Sequence, residues 1–270
     1  MCNNIGKRFY GSFLLKQFLQ YTALPMAAPP VYGSFHLLFV LFGTAAALAA
    51  AWLLRGCRSE KASLRVYGIT GIILLLGEIY KQLFHFLIIG QGSYDWWVFP
   101  FQLCSIPMYL CLLMPGIPSA KWRRMAATFL LDFGLLGALG TFIDPSGLMH
   151  PYLILTVHGF VWHIMLAFLG FYILMSGQAD LSLRGFARTL PLFAVCCLLA
   201  EAGNYLFHTR GLIDLFYISP YTTSTQLFFA DVDQILGRPA GIAFYIFAMI
   251  AGAYFIHGLC FLAFGKRKEV

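Results

Sequence analysis

Apolar residues run almost unbroken over 35–54, 65–89, 97–114, 125–143, 152–174, 187–207 and 240–264, and charged residues collect in the gaps. Each run is close to the ~20 residues that a helix rising about 1.5 Å per residue needs to cross a hydrocarbon core of about 30 Å. The pattern predicts an all-α polytopic membrane protein, a bundle of about seven transmembrane helices spanning residues 35–264. A segment 1–34 precedes the bundle and a short basic tail, 265–270, follows it. No internal repeat, low-complexity tract or interdomain linker interrupts the series, so one membrane domain is expected.

The N-terminal segment does not fit a cleaved signal, because Lys16 and Gln17 break any apolar core of sufficient length. GKRFYGSFLLKQFLQY reads instead as a helix lying in the interface, with Phe and Leu in lipid and Lys snorkelling to water.

Polar residues inside the runs are few, and their spacing is regular. Glu78, Lys81, Gln82 and His85 recur at i, i+3, i+4 and i+7, and Glu201, Asn204 and His208 repeat the pattern, so each set shares one helical face. Turned to lipid, each ionised group would cost about 2.5–3.5 kcal/mol on insertion scales, so both faces are expected to meet protein across a shared cavity. His158 and His163 are about 140° apart around their helix; His158, roughly 9 Å into its span, is level with Cys104, roughly 10 Å into its own, and Lys81, His85, Glu201 and Asn204 fall in the same half of the membrane.

The third run, FPFQLCSIPMYLCLLMP over 99–115, is the anomaly. Gln102, Cys104 and Ser105 stand between Pro100 and Pro107, and leucine would insert more easily. Each proline removes a backbone donor, and irregular backbone at membrane depth is tolerated where it lines a cavity. Cys104 and His158 fall at one level, with Asp144 at the outer mouth, so the expected site opens toward the outer leaflet.

Composition agrees with the pattern. The chain of 270 residues is 60% hydrophobic and 11% charged, against about 25% charged in soluble domains. Its mean hydropathy is +0.77. The net charge of +7 does not form one basic face, which argues against a nucleic-acid partner. Arg55, Arg58, Lys61 and Arg65, then Lys121, Arg123 and Arg124, then Arg184 and Arg188, then Lys266, Arg267 and Lys268 occupy alternate connections. The positive-inside rule therefore places these connections and the C-terminus in the cytoplasm and the N-terminus outside, which in a bacterium means the plasma membrane; Lys7, Arg8 and Lys16 oppose that bias. Seven cysteines show no CxxC or Cys/His spacing, so neither a metal nor another cofactor is expected.

FPFQLCSIP, GALGTFIDPSG, HPYLILTVHGFVWH and NYLFH together resemble the YwaF-like multi-pass membrane family and, through it, the family of the animal transmembrane protein 164, a lipid acyltransferase. That resemblance implies that Cys104 takes an acyl group from a phospholipid as a thioester, that His158 assists, and that the chain passes to a lysophospholipid. The family pattern commonly has histidine two residues before the cysteine, where this chain has Gln102. The connection after Asn204 is longer than usual.

Three classes of function stay open on the residues themselves. In an enzyme acting on membrane lipids, His158 serves Cys104 as base, Glu201 or Asp144 orients the imidazole, and Gln102 or Asn204 donates to an oxyanion. In a transporter or ligand-binding protein, Glu78, Lys81, His85 and Glu201 line an intramembrane polar path. In a structural protein the same groups only join helices, and a span cysteine alone is usually a small packing residue.

Overall fold

The computed structural model describes residues 14–265. Its helices in chain order are α1 (14–22), α2 (Ser34–Leu54), α3 (Glu60–Ile89), α4 (Leu103–Gly116), α5 (Ala120–Ile143), α6 (Leu153–Ser176), α7 (Leu183–Phe207), α8 (Phe229–Leu236) and α9 (Arg238–Phe264). Six of them, α2, α3, α5, α6, α7 and α9, are long and apolar enough to cross a membrane.

The seventh pass is shorter than the expected 97–114. The α4 helix starts only at Leu103, and by about 1.5 Å per residue it covers roughly 20 Å. Proline is the reason. Pro100 pushes Phe99 out of the helical region, to φ −55°, ψ 130°, and Pro107 is placed in the first α-helical turn, where its missing N–H leaves no bond broken. The chain therefore passes residues 99–102 without a helix.

Contacts between connections establish two faces. On the basic face, Arg123 pairs with Glu60 at 2.8 Å, and Arg124 donates to the carbonyl of Ala179 at 3.3 Å. On the opposite face, Tyr32 donates to the carbonyl of Ile143 at 2.9 Å, and Gln102 to that of Asp214 at 2.7 Å. The α3 and α7 helices begin before the apolar runs at 65 and 187, because Ser59 and Ser182 accept from the N–H groups of Ala62 and Gly185 and so cap helices that start in the basic connections.

The α5 helix is the axis of the bundle, buried without interruption from Ala126 to Leu135. Phe133 stacks between Phe129 and Phe193 with ring centroids 4.7 Å away on each side, joining α5 to α7. The α2 helix is peripheral and packs on α6, where Gly43 allows close approach; a β-carbon there would stand 2.2 Å from Ile164. Two helices widen for one turn into π geometry, α3 at His85–Ile89 and α5 at Leu130–Gly134.

The interfacial reading of the N-terminal segment falls partly on residues 1–13, outside the described residues. Over 14–22 the chain is helical, and Leu19 is buried against Phe84 and Leu155 while Phe18 and Tyr21 are exposed.

Candidate active site

The segment without a helix is the foundation of the site. Its backbone groups have no ladder to join, so side chains and one local turn satisfy them. Gln82 donates to the carbonyl of Val98 at 2.6 Å, and Tyr109 donates to that of Pro100 at 2.7 Å. Ser105 closes the turn twice, its N–H reaching the Gln102 carbonyl at 2.8 Å and its hydroxyl oxygen accepting the Gln102 N–H at 3.4 Å. The polar residues of FPFQLCSIP are thus explained in large part by the backbone they sit beside.

Cys104 follows directly, in the first turn of α4 and half-buried. The first turn of a helix carries N–H groups without intrahelical partners, an environment that stabilises developing negative charge. From α6, Trp162 donates its indole N–H to the Cys104 carbonyl at 3.0 Å, and the ring of His158 lies one helical turn away with its centroid 5.6 Å from the indole. His158 fits against α3 because residue 77 is glycine; a β-carbon there would stand 3.4 Å from Nε2. That nitrogen is buried, faces the Gly77 backbone, and makes no hydrogen bond of ordinary geometry among the described residues. Cys104 and His158 share Trp162 as a neighbour, and the thiol and imidazole are not hydrogen-bonded to each other.

Beyond Gly77 stands the α3 stripe. Lys81 pairs with Glu78 at 2.8 Å, Gln82 donates to Glu78 at 2.7 Å, and the Tyr94 hydroxyl donates to Gln82 at 2.8 Å. The charge of Lys81 is close enough to act on both Cys104 and His158. His85 is buried with its ring centroid 6.2 Å from that of His150, and its Nδ1 has no partner. Burial and then the Lys81 charge hold His150, in the 144–152 connection, below the usual histidine range.

The α7 stripe does not meet the α3 stripe directly. Asn204 is fully buried and brackets Leu215, accepting its N–H at 2.8 Å and donating to its carbonyl at 3.2 Å. Glu201 sits near Asp214, and Gln102 joins the two halves through the Asp214 carbonyl. The amide nitrogens of Gln102 and Asn204 are thereby committed to the 213–219 segment, and the Gln102 Oε1 is left without a partner. Asp144 accepts from the Ser146 N–H at 3.1 Å, and neither Asp144 nor Glu201 is bonded to His158.

Several residues of this neighbourhood escaped the sequence pattern. Tyr217, from the 208–237 connection, and Tyr245, from α9, both lie within electrostatic reach of Cys104. Burial pushes the Tyr217 phenol up, so it stays a neutral donor at neutral pH. Arg238 ties this side together, reaching Asp233 at 2.8 Å and Asp214 at 3.4 Å. Trp162 did leave a signal, since an indole N–H in the middle of a span needs an acceptor.

His163 turns away and bonds the carbonyl of Gly159 at 2.7 Å on its own helix. Asp132 and His257 pair with each other at 3.0 Å, with His257 also 3.2 Å from the Ser182 carbonyl, apart from Cys104.

The chain matches the model of the TMEM164 family over residues 31–261. No curated protein and no solved structure matches the chain.

Proposed function

The chain belongs to the TMEM164 family, and from that premise we propose that this multi-pass membrane protein transfers acyl groups between membrane lipids at Cys104. The observation that carries the reading is the pairing of a half-buried cysteine, in the first turn of a helix, with a histidine whose Nε2 is buried and unpartnered beside the same tryptophan. A packing cysteine needs no such neighbour, and an unpartnered buried ring nitrogen costs stability unless something occupies it during function.

In this reading His158 takes the proton of the Cys104 thiol as sulfur attacks the ester carbonyl carbon of a phospholipid. The C–O bond breaks, the proton passes to the departing lysophospholipid oxygen, and the acyl group remains as a thioester. A second lysophospholipid hydroxyl then attacks the thioester, gives its proton to His158, and leaves with the acyl group while the thiol is restored. Because thiol and imidazole are not bonded at rest, the substrate-bound arrangement or a bridging water must close the gap. The N–H groups at the start of α4 and the neutral Tyr217 phenol are the donors this reading assigns to the oxyanion, since Gln102 and Asn204 hold the 213–219 segment.

The transporter reading has less beneath it. Glu78 and Lys81 close on each other and Gln82 donates to Glu78, so two of the four ionisable groups that would line a path are held by one another. Vesicles carrying the purified protein, an isotope-labelled diacyl phospholipid and a lysophospholipid separate the two. Label should reach the acceptor, transfer should vanish in Cys104→Ala, and it should slow by about a hundredfold or more in His158→Ala. Transfer at the original rate in Cys104→Ala, or none across a broad panel of lipids, would end the proposal.

A further inference from the structure

On the face opposite Cys104, the N-terminal turns of α5 and α7 enclose a cleft with about 260 Å³ of atom-free space, including the part open to solvent. Lys121 and Arg124 enter it from α5, Arg188 from α7, and Asp180 and Thr128 form its floor. Three cations face one carboxylate. That carboxylate is already engaged, accepting from the Ser182 N–H at 3.2 Å, from the Ser182 hydroxyl at 2.7 Å and from Arg188 at 3.4 Å.

The other polar groups are settled in a way that leaves the cations free to act outward. Thr128 donates to the Arg124 carbonyl at 2.8 Å and accepts the Asp180 N–H at 2.9 Å, which fixes the floor. Arg124 spends one N–H on the Ala179 carbonyl, and Lys121 makes no hydrogen bond or ion pair among the described residues. Arg123 points elsewhere, to Glu60. Charges that serve only topology need no concave arrangement, since the positive-inside rule counts residues and is indifferent to their geometry. Here the cations converge on one space.

The surroundings of the cleft select the ligand. Trp122 is 56% exposed beside Lys121, and Leu183 is 69% exposed at the start of α7, so apolar side chains flank the cations at the level where the apolar helices begin. Basic pockets between spans at that level are suited to anionic headgroups, with phosphate held by lysine and arginine and acyl chains running along the helices. We propose that this cleft holds the phosphate of an anionic phospholipid in the leaflet opposite Cys104, a lipid bound and not turned over.

Native mass spectrometry of the protein released from membranes of phosphatidylcholine and phosphatidylglycerol tests this. Phosphatidylglycerol should be retained in preference to phosphatidylcholine. Removing two cations, in Lys121→Ala with Arg188→Ala, should weaken retention by about fivefold per charge. Lys121→Arg should keep it, and Arg210→Ala, on the opposite face, should leave it unchanged. Thermal unfolding of each variant shows whether it is folded. Equal retention of the two lipids, or unchanged retention in a folded double variant, would overturn the proposal. Displacement of phosphatidylglycerol by inorganic phosphate at equal concentration would also overturn it, by showing a site for the free anion instead of a lipid.

Discussion

Trp162 donates its indole N–H to the backbone carbonyl of Cys104 at 3.0 Å, so the first turn of α4 is fixed against the middle of α6 by a side chain one turn from His158. The bond does two things at once. It satisfies an indole that would otherwise be buried without an acceptor, and it sets the height of the thiol against the imidazole.

Trp162→Phe keeps the aromatic surface and removes the donor. It should lower stability by about 1 kcal/mol, the usual net worth of one hydrogen bond, and slow acyl transfer more than it affects lipid binding. Thermal unfolding together with transfer rates at saturating lipid checks this. Unchanged transfer in a destabilised variant would make the tryptophan a structural residue only.

Asp214 provides the pH dependence. Burial pushes its carboxyl up from 3.8 to about 6, against the pull of the Ser219 N–H and of Arg238, and its Oδ2 has no partner. The folded protein therefore keeps a proton that the unfolded chain has already lost. The contribution to stability is fully present below about pH 4 and is lost as pH rises through about 6. Infrared spectra should show a protonated carboxyl band that disappears between pH 5 and 7 and is absent in Asp214→Asn. The same variant should flatten the fall in stability between about pH 4 and 6. A band that titrates near 4 would remove this account of the 213–219 segment.

The Asp132–His257 pair offers the opposite kind of test, because it is buried, mutually satisfied and apart from Cys104. It joins the π turn of α5 to α9. Removing one partner strands the other, at a cost of about 3–5 kcal/mol if the survivor is charged, whereas removing both is far milder. His257→Leu and Asp132→Leu should each unfold at markedly lower temperature, and the double variant should recover most of the loss. Acyl transfer per folded molecule should not change. A loss of transfer in the folded double variant would move this pair into the chemistry.

Periodicity carried the reading of the sequence furthest where the structure is periodic. Runs of apolar residues located all six long spans, and the i, i+3, i+4 spacing found Glu78, Lys81 and Gln82, which do act as one bonded face. It overran at α4, since the apolar run extends through 97–102, and although Pro100 and Pro107 marked the stretch as irregular, the run did not show that the helix begins only at Leu103. Partners far apart in sequence were also out of reach. Asp132 and His257 are 125 positions apart, and Asp214 lies in a connection with no repeating pattern while Arg238 opens α9, so each could be seen as a polar residue but not as half of a pair. Gln102 was read as a donor for an oxyanion, and only the folded 213–219 segment reveals that its amide is already spent.

The central claim is that sulfur at position 104 carries the acyl group, and site-resolved mass spectrometry of the thioester tests it most directly. Protein incubated with a phospholipid bearing a labelled acyl chain, quenched and digested, should carry the label on the peptide containing Cys104 and release it with hydroxylamine. Cys111→Ala should leave the adduct intact, His158→Ala should slow its appearance, and Cys104→Ala should abolish it. Label on another cysteine, or an undiminished adduct in Cys104→Ala, would contradict the account.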